Sequence, residues 1–166
     1  MRQQYLGELP TPDTKATEVK FFKIKGDGFD KAQKKWANEE VLDNNRTDIV
    51  KIPSDIKPGM YVFRTELLAL HGNSPSLPAS FGGPQFYTHC FNVEILGDGK
   101  VQPEGVKFPG AYQPNDPGVK FFLGQKETWN NYVSLDLHPL VAFIHLFTLH
   151  THPLRAVFHA LYTCSS

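Results

Sequence analysis

Three polar side chains alternate along the segment Gln85-Phe86-Tyr87-Thr88-His89. Side chains on a strand repeat every two residues, so on a strand Gln85, Tyr87 and His89 share one face. His71 closes an earlier apolar run, and the loop from Gly72 to Pro84 can bring it beside Gln85. A carboxamide, a phenol and an imidazole would then converge. A phenol oxygen can act as a weak axial metal ligand or as a hydrogen-bond partner, while Gln and His can donate to a small bound species. The competing reading is structural. A tyrosine in a β-protein is more often packed with its hydroxyl tied down, and a single histidine more often sits satisfied on the surface. Spacing alone favours that structural reading.

Such a face needs strands to carry it, and the composition supplies them. The chain has 13 Phe, 6 Tyr and 2 Trp, with 13 Gly and 13 Pro. Aromatic residues favour strands, while Gly and Pro punctuate turns. The expected class is all-β, a sandwich or barrel. At 166 residues the chain suits one domain, and a domain of this size buries roughly 70% of its unfolded surface without staples. Lys+Arg and Asp+Glu are both 17, for a formal net charge of zero. That argues against a nucleic-acid partner, which would draw a basic excess, and is compatible with a neutral partner such as a carbohydrate.

Met60 to Leu70 reads as a long strand after the turn Lys57-Pro58-Gly59. One face carries Tyr61, Phe63, Thr65, Leu67, Ala69 and His71. The other carries Met60, Val62, Arg64, Glu66, Leu68 and Leu70. Apolar residues on both faces mark a central strand, and Arg64 and Glu66 are placed to pair. Gln85 to Leu96 is the second long strand, ended by Gly97-Asp98-Gly99. Shorter strands are expected at Val19–Lys25 and Thr47–Ile52. Phe29, Ala32 and Trp36 fall at helical spacing, which suggests a short surface helix laying Trp36 on the sheet. Residues 7–17 and 100–132 read as loops.

The character changes at Ser134. Between Leu137 and Tyr162 the only formal charge is Arg155, yet His138, His145, His150, His152 and His159 all fall there. The stretch shows no sheet alternation. It is long enough for a membrane helix but is broken by Pro139 and Pro153. Its histidine spacing fits no common metal motif. The opening Met1-Arg2-Gln3-Gln4-Tyr5 is not followed by the apolar core of a secretory signal. Asn45-Arg46-Thr47 is a glycosylation sequon, relevant only to a secreted chain. Cys90 and Cys164 are the two cysteines; they could pair, but nothing in the spacing requires it.

A series of motifs stands in a distinctive order: Ile52-Pro53-Ser54-Asp55-Ile56, Pro58-Gly59-Met60-Tyr61-Val62-Phe63-Arg64, Glu66-Leu67-Leu68-Ala69-Leu70-His71, Gly83-Pro84-Gln85-Phe86-Tyr87 and Cys90. Gly105-Val106-Lys107-Phe108-Pro109-Gly110-Ala111-Tyr112 and Asn115-Asp116-Pro117-Gly118 follow, while Phe22-Lys23-Ile24 and Lys35-Trp36-Ala37 lie upstream. From about Tyr5 to Val133 this order resembles auxiliary activity family nine, formerly glycoside hydrolase family sixty-one, the fungal lytic polysaccharide monooxygenases.

The resemblance implies an immunoglobulin-like or fibronectin-like β-sandwich and a secreted, copper-dependent (Cu2+) enzyme. Its partners would be cellulose or a related β-1,4-glucan, dioxygen or peroxide, and an external electron donor. By motif, Tyr87 takes the axial copper position, and Gln85 and His71 take the dioxygen side. Cys90 matches a cysteine normally bonded to one far upstream. In that family copper is gripped by a histidine brace: the amine and imidazole of a terminal His, plus a second His in a His-x-Gly-Pro segment. This chain opens on Met1, and Gln3-Gln4-Tyr5-Leu6 corresponds to sequence beyond that second His. The expectation is therefore an incomplete sandwich in residues 1–133, lacking the brace and inactive alone, with a divergent tail in 134–166. Two alternatives stand beside it. One is a non-catalytic carbohydrate-binding β-sandwich remnant using Tyr112, Trp129 or Tyr132. The other is a membrane anchor formed by the tail.

Overall fold

A computed structural model describes residues 1–76 and 82–135, and the backbone of Ala156–Tyr162. Among the described residues seven strands and two short α-helices follow in chain order: β1 (Arg2–Glu8), β2 (Phe21–Asp27), β3 (Phe29–Asp30), β4 (Lys35–Trp36), α1 (Ala37–Asp43), β5 (Gly59–Ala69), β6 (Gln85–Ile95), α2 (Pro117–Lys120) and β7 (Ala156–Tyr162). Five strands form one antiparallel sheet in the order β2-β1-β5-β6-β7, and β3 and β4 make a separate hairpin. β5 lies in the middle of the sheet, as its two apolar faces require.

The two faces of β5 are covered differently. On one, Leu68 and Leu70 pack with Trp36, Val119, Tyr132 and Leu135, and Val62 packs with Tyr5, Phe21, Cys90 and Phe108. The loops after β6 supply most of this cover. On the other, Tyr61 and Phe63 pack with Leu6, Phe22, Val93 and Ile95 beneath Ile52 and Ile56. Cover on that face ends near Thr65: Leu67 is 39% exposed, and Tyr87, its partner on β6, is 53% exposed. The uncovered half is where the candidate residues sit.

The expected helix over Phe29–Trp36 is instead the β3–β4 hairpin, with Phe29 opposite Trp36. Turn chemistry overrides helical spacing here. Asp30 Oδ1 accepts from the backbone N–H groups of Ala32 and Gln33 at 2.7 and 2.9 Å, and Lys34 turns the chain with φ 58°. The helix starts one step later, where Glu39 accepts the Trp36 N–H at 2.7 Å. Trp36 still lies against the sheet, 8% exposed. The strand expected at Thr47–Ile52 has no ladder partner, although Val50 and Ile52 pack on the core. The Gly97-Asp98-Gly99 turn is present. Gly99 is required there because a Cβ would meet the Asp55 and Ile56 backbone at 2.3–2.5 Å.

The tail contains a strand that its sequence does not announce. β7 pairs with β6, Cys90 opposite Tyr162 and Val93 opposite Phe158. A strand apolar on consecutive positions carries no period-two signal, so alternation misses it. His138, His145, His150 and His152 lie outside the described residues. Among the described residues no helix is long and apolar enough to cross a membrane.

Candidate metal centre

β6 opens on Gln85-Phe86-Tyr87, and the strand phase sorts these side chains. Register places Ala69 opposite Gln85, Leu67 opposite Tyr87 and Thr65 opposite His89. Gln85, Tyr87 and His89 therefore share the uncovered face, and all three are exposed. The Tyr87 hydroxyl donates to Gln85 Oε1 at 2.8 Å. His71 lies two residues beyond Ala69 at the end of β5. It lines an open cleft of about 410 Å³ together with Leu67, Ala69, Tyr87, Trp36 and Trp129. The structure thus brings Tyr87 together with Gln85 through a hydrogen bond and with His71 across a cleft. His89 shares the face without lining the cleft.

Phe86 points the other way and fixes the phase. Its ring stacks on Tyr112, with centroids 5.5 Å apart and planes at 17°. Tyr112 is tied in turn to a buried polar network. Its hydroxyl donates to Glu66 Oε1 at 2.8 Å and shares a hydrogen bond with the Tyr5 hydroxyl. Arg64 reaches Glu66 Oε2 at 2.6 Å and lies over the Phe108 ring, 4.3 Å from its centroid. The Arg64–Glu66 pair is the one expected from their spacing, and its burial makes both hydrogen bonds to Glu66 consequential. Burial, with the nearby Tyr5 and Glu66, pushes the Tyr112 phenol well above the ordinary tyrosine range.

Tyr5 and Tyr112 are the residues of this neighbourhood that spacing could not reveal. They lie 107 positions apart in the chain, and nothing local announces their meeting. The three aromatics considered for sugar binding differ in their surroundings. Tyr132 is 7% exposed, and its ring packs on Trp36 at 4.9 Å. Trp129 packs on Phe29 and Trp36, and Tyr112 is held in the polar network. Trp129 nevertheless lines the cleft beside Tyr87, and Tyr87 is the most exposed of the large aromatics described.

The residues present do not by themselves fit a copper ion. Copper favours imidazole and amine nitrogens. Tyr87 and Gln85 offer a phenol and a carboxamide already bonded to each other, and the cleft adds one imidazole, His71. Among the described residues no group of three His, Cys, Asp or Glu side chains could hold a metal ion.

Comparison with known proteins places the chain in a family. Residues 2–132 match the sequence profile of Auxiliary Activity family 9, formerly GH61. An AA9 family lytic polysaccharide monooxygenase D of Podospora anserina is 39% identical over 127 residues, 75% of this chain and 33% of that protein. A monooxygenase G of the same family from Emericella nidulans is 42% identical over 116 residues, 68% of this chain and 40% of that protein. A glycoside hydrolase family 61 member from Hypocrea jecorina superposes with a TM-score of 0.67 at 32% identity, covering 75% of this chain and 54% of that one. The chain spans about a third of the length of the first of these curated relatives. The all-β, immunoglobulin-like sandwich expected from the sequence is the class of this fold, represented here by one five-stranded sheet and its covering loops.

Proposed function

Because the chain belongs to auxiliary activity family 9, we propose that it presents one side of a copper monooxygenase centre acting on cellulose or a related β-1,4-glucan. The observation that carries this is the outward Tyr87–Gln85 pair beside His71 on the uncovered end of the sheet. Tyr87 would turn a neutral phenol toward the metal without gripping it. Gln85 and His71 would offer a carboxamide and an imidazole to orient a small oxygen species by hydrogen bonds. Copper, when bound, supplies one-electron chemistry toward dioxygen or peroxide, with the electron coming from an external donor. Among the described residues no three metal-ligating side chains come together, so weak copper binding is the outcome expected of them.

The family reading also gives secretion, and with it an oxidising compartment. Cys90 supports this: it is 1% exposed, with no free thiol among the described residues, as suits a disulfide cysteine.

Copper titration of the 166-residue chain, followed by calorimetry and electron paramagnetic resonance, tests the proposal. Weak binding without a defined type-2 signal is expected. A tight type-2 signal that persists in Tyr87→Phe would overturn it. A cellulose pull-down without reductant, followed by a product assay with reductant, separates binding from chemistry. Retention without oxidised products is the expected outcome for the chain by itself.

A further inference from the structure

The turn after α1 carries chemistry that the sheet does not use. Asn45-Arg46-Thr47 follows the helix C-terminus, and all three residues are exposed. Asn45 and Arg46 both adopt left-handed backbone, with φ 51° and 59°. The turn is held from its flanks: the Thr47 N–H donates to the Asn44 carbonyl at 2.9 Å, and Asn44 Nδ2 donates to the Thr47 carbonyl at 2.9 Å. The Thr47 hydroxyl is directed at the Asn45 carbonyl, 3.5 Å away. Among the described residues the Asn45 carboxamide itself makes no hydrogen bond.

A left-handed position by itself explains an asparagine, since Asn tolerates that backbone. It does not explain a threonine two residues on, nor a carboxamide left free while its neighbour Asn44 does the capping. Two further residues bear on the point. Leu42 and Ile49, which flank the turn in sequence, are 59% and 72% exposed, the highest values among the exposed large hydrophobics described. Apolar surface of this kind next to a free carboxamide suits a covalently attached sugar, whose ring faces can cover it.

We propose that Asn45 is an N-glycosylation site. Nδ2 of Asn45 attacks the anomeric carbon of an oligosaccharide carried on a lipid pyrophosphate, the donor of the secretory lumen. The C–O bond to pyrophosphate breaks, the N–C bond forms, the amide nitrogen loses one proton and the lipid pyrophosphate leaves. No oxidation or reduction is involved. The proposal rests on the secretory reading given above. It also places the sugar away from the cleft. Asn38 at the start of α1 lines the cleft, whereas Asn45 lies past the other end of Ala37–Asp43, roughly 10 Å along the helix axis at 1.5 Å per residue. A glycan there leaves the Tyr87 face open.

The test supplies the secretion step, so that the site is judged separately from the chain's natural destination. The chain is fused behind a yeast secretion signal and given a reporter sequon beyond Ser166. Electrophoretic mobility before and after peptide N-glycosidase, and the mass of the peptide containing Asn45, are then read. Two glycans are expected on the unaltered chain, one on Asn45→Gln and on Thr47→Ala, and two on Thr47→Ser, which keeps the hydroxyl. An occupied reporter with a bare Asn45 overturns the proposal, as does an Asn45 glycan that survives Thr47→Ala. Asn45→Gln is also expected to scatter more light than the glycosylated chain at equal concentration, because Leu42 and Ile49 are uncovered.

Discussion

At the scale of single residues, the contrast between Tyr87 and Tyr112 sets what substitutions should do. Tyr87 is exposed and donates one surface hydrogen bond, so Tyr87→Phe should change stability by no more than about 0.5 kcal/mol. Equilibrium denaturation checks this, and a large loss would mean that the phenol is structural. Tyr112 is different because its hydroxyl serves the buried Glu66 carboxylate. Tyr112→Phe leaves that oxygen without its donor and should cost about 1–3 kcal/mol. The same residue sets a pH dependence. Its folded value is raised above the ordinary 10.0, first by burial. Its contribution is therefore fully present below pH 10 and is lost as pH climbs, because the unfolded chain ionises first. Denaturation profiles of the unaltered chain should fall away above pH 10, and Tyr112→Phe should flatten that fall while lowering stability at neutral pH.

At the scale of elements, the hairpin β3–β4 and the two long strands show what the sequence could announce. β5 and β6 were legible because they are long runs rich in apolar and aromatic residues and their ends carry Pro-Gly and Gly-Asp-Gly turns. Phe29–Trp36 was not, because three aromatic and alanine positions at helical spacing say nothing of the Asp30 turn that folds them back. β7 was hidden because its apolar residues run consecutively on both sides of His159 and show no alternation. The candidate residues on β6 could be placed on one face by parity alone. Parity does not show that Tyr87 bonds Gln85 or that His71 shares its cleft, because these depend on where the Gly72–Pro84 connection returns the chain. The motif order, more than the spacing, pointed to a metal. Trp36 gives the element-scale prediction. It contacts Phe29, Phe121, Trp129 and Tyr132, so Trp36→Ala removes the centre of an aromatic cluster. A loss of about 3–5 kcal/mol is expected, read by denaturant midpoint. A loss under about 1 kcal/mol would mean that the cluster is not part of the cooperative core.

At the scale of the whole molecule, one sheet face is covered except at Phe86 and the other is only half covered. Leu67, Phe86 and Tyr87 are partly open to solvent near the same end of the sheet, and β2 lies at one margin of the sheet. Exposed apolar surface and free strand edges favour self-association. Leu67→Thr should reduce concentration-dependent light scattering while leaving the fold intact by circular dichroism. Unchanged scattering would locate the sticky surface elsewhere, with Leu42 and Ile49 the next positions to alter.

The stack of Phe86 on Tyr112 has a consequence for how this segment can diverge. One residue added or deleted within β6 just ahead of Phe86 would exchange the sides of Phe86 and Tyr87. A hydroxyl would then be driven into the buried network and a bare phenyl turned to the uncovered face. Changes of length are therefore tolerated before the strand, in the Gly72–Pro84 connection, and are excluded within it. Descendants of this sequence can change the site one substitution at a time, but an odd-length indel inside β6 is a dead end.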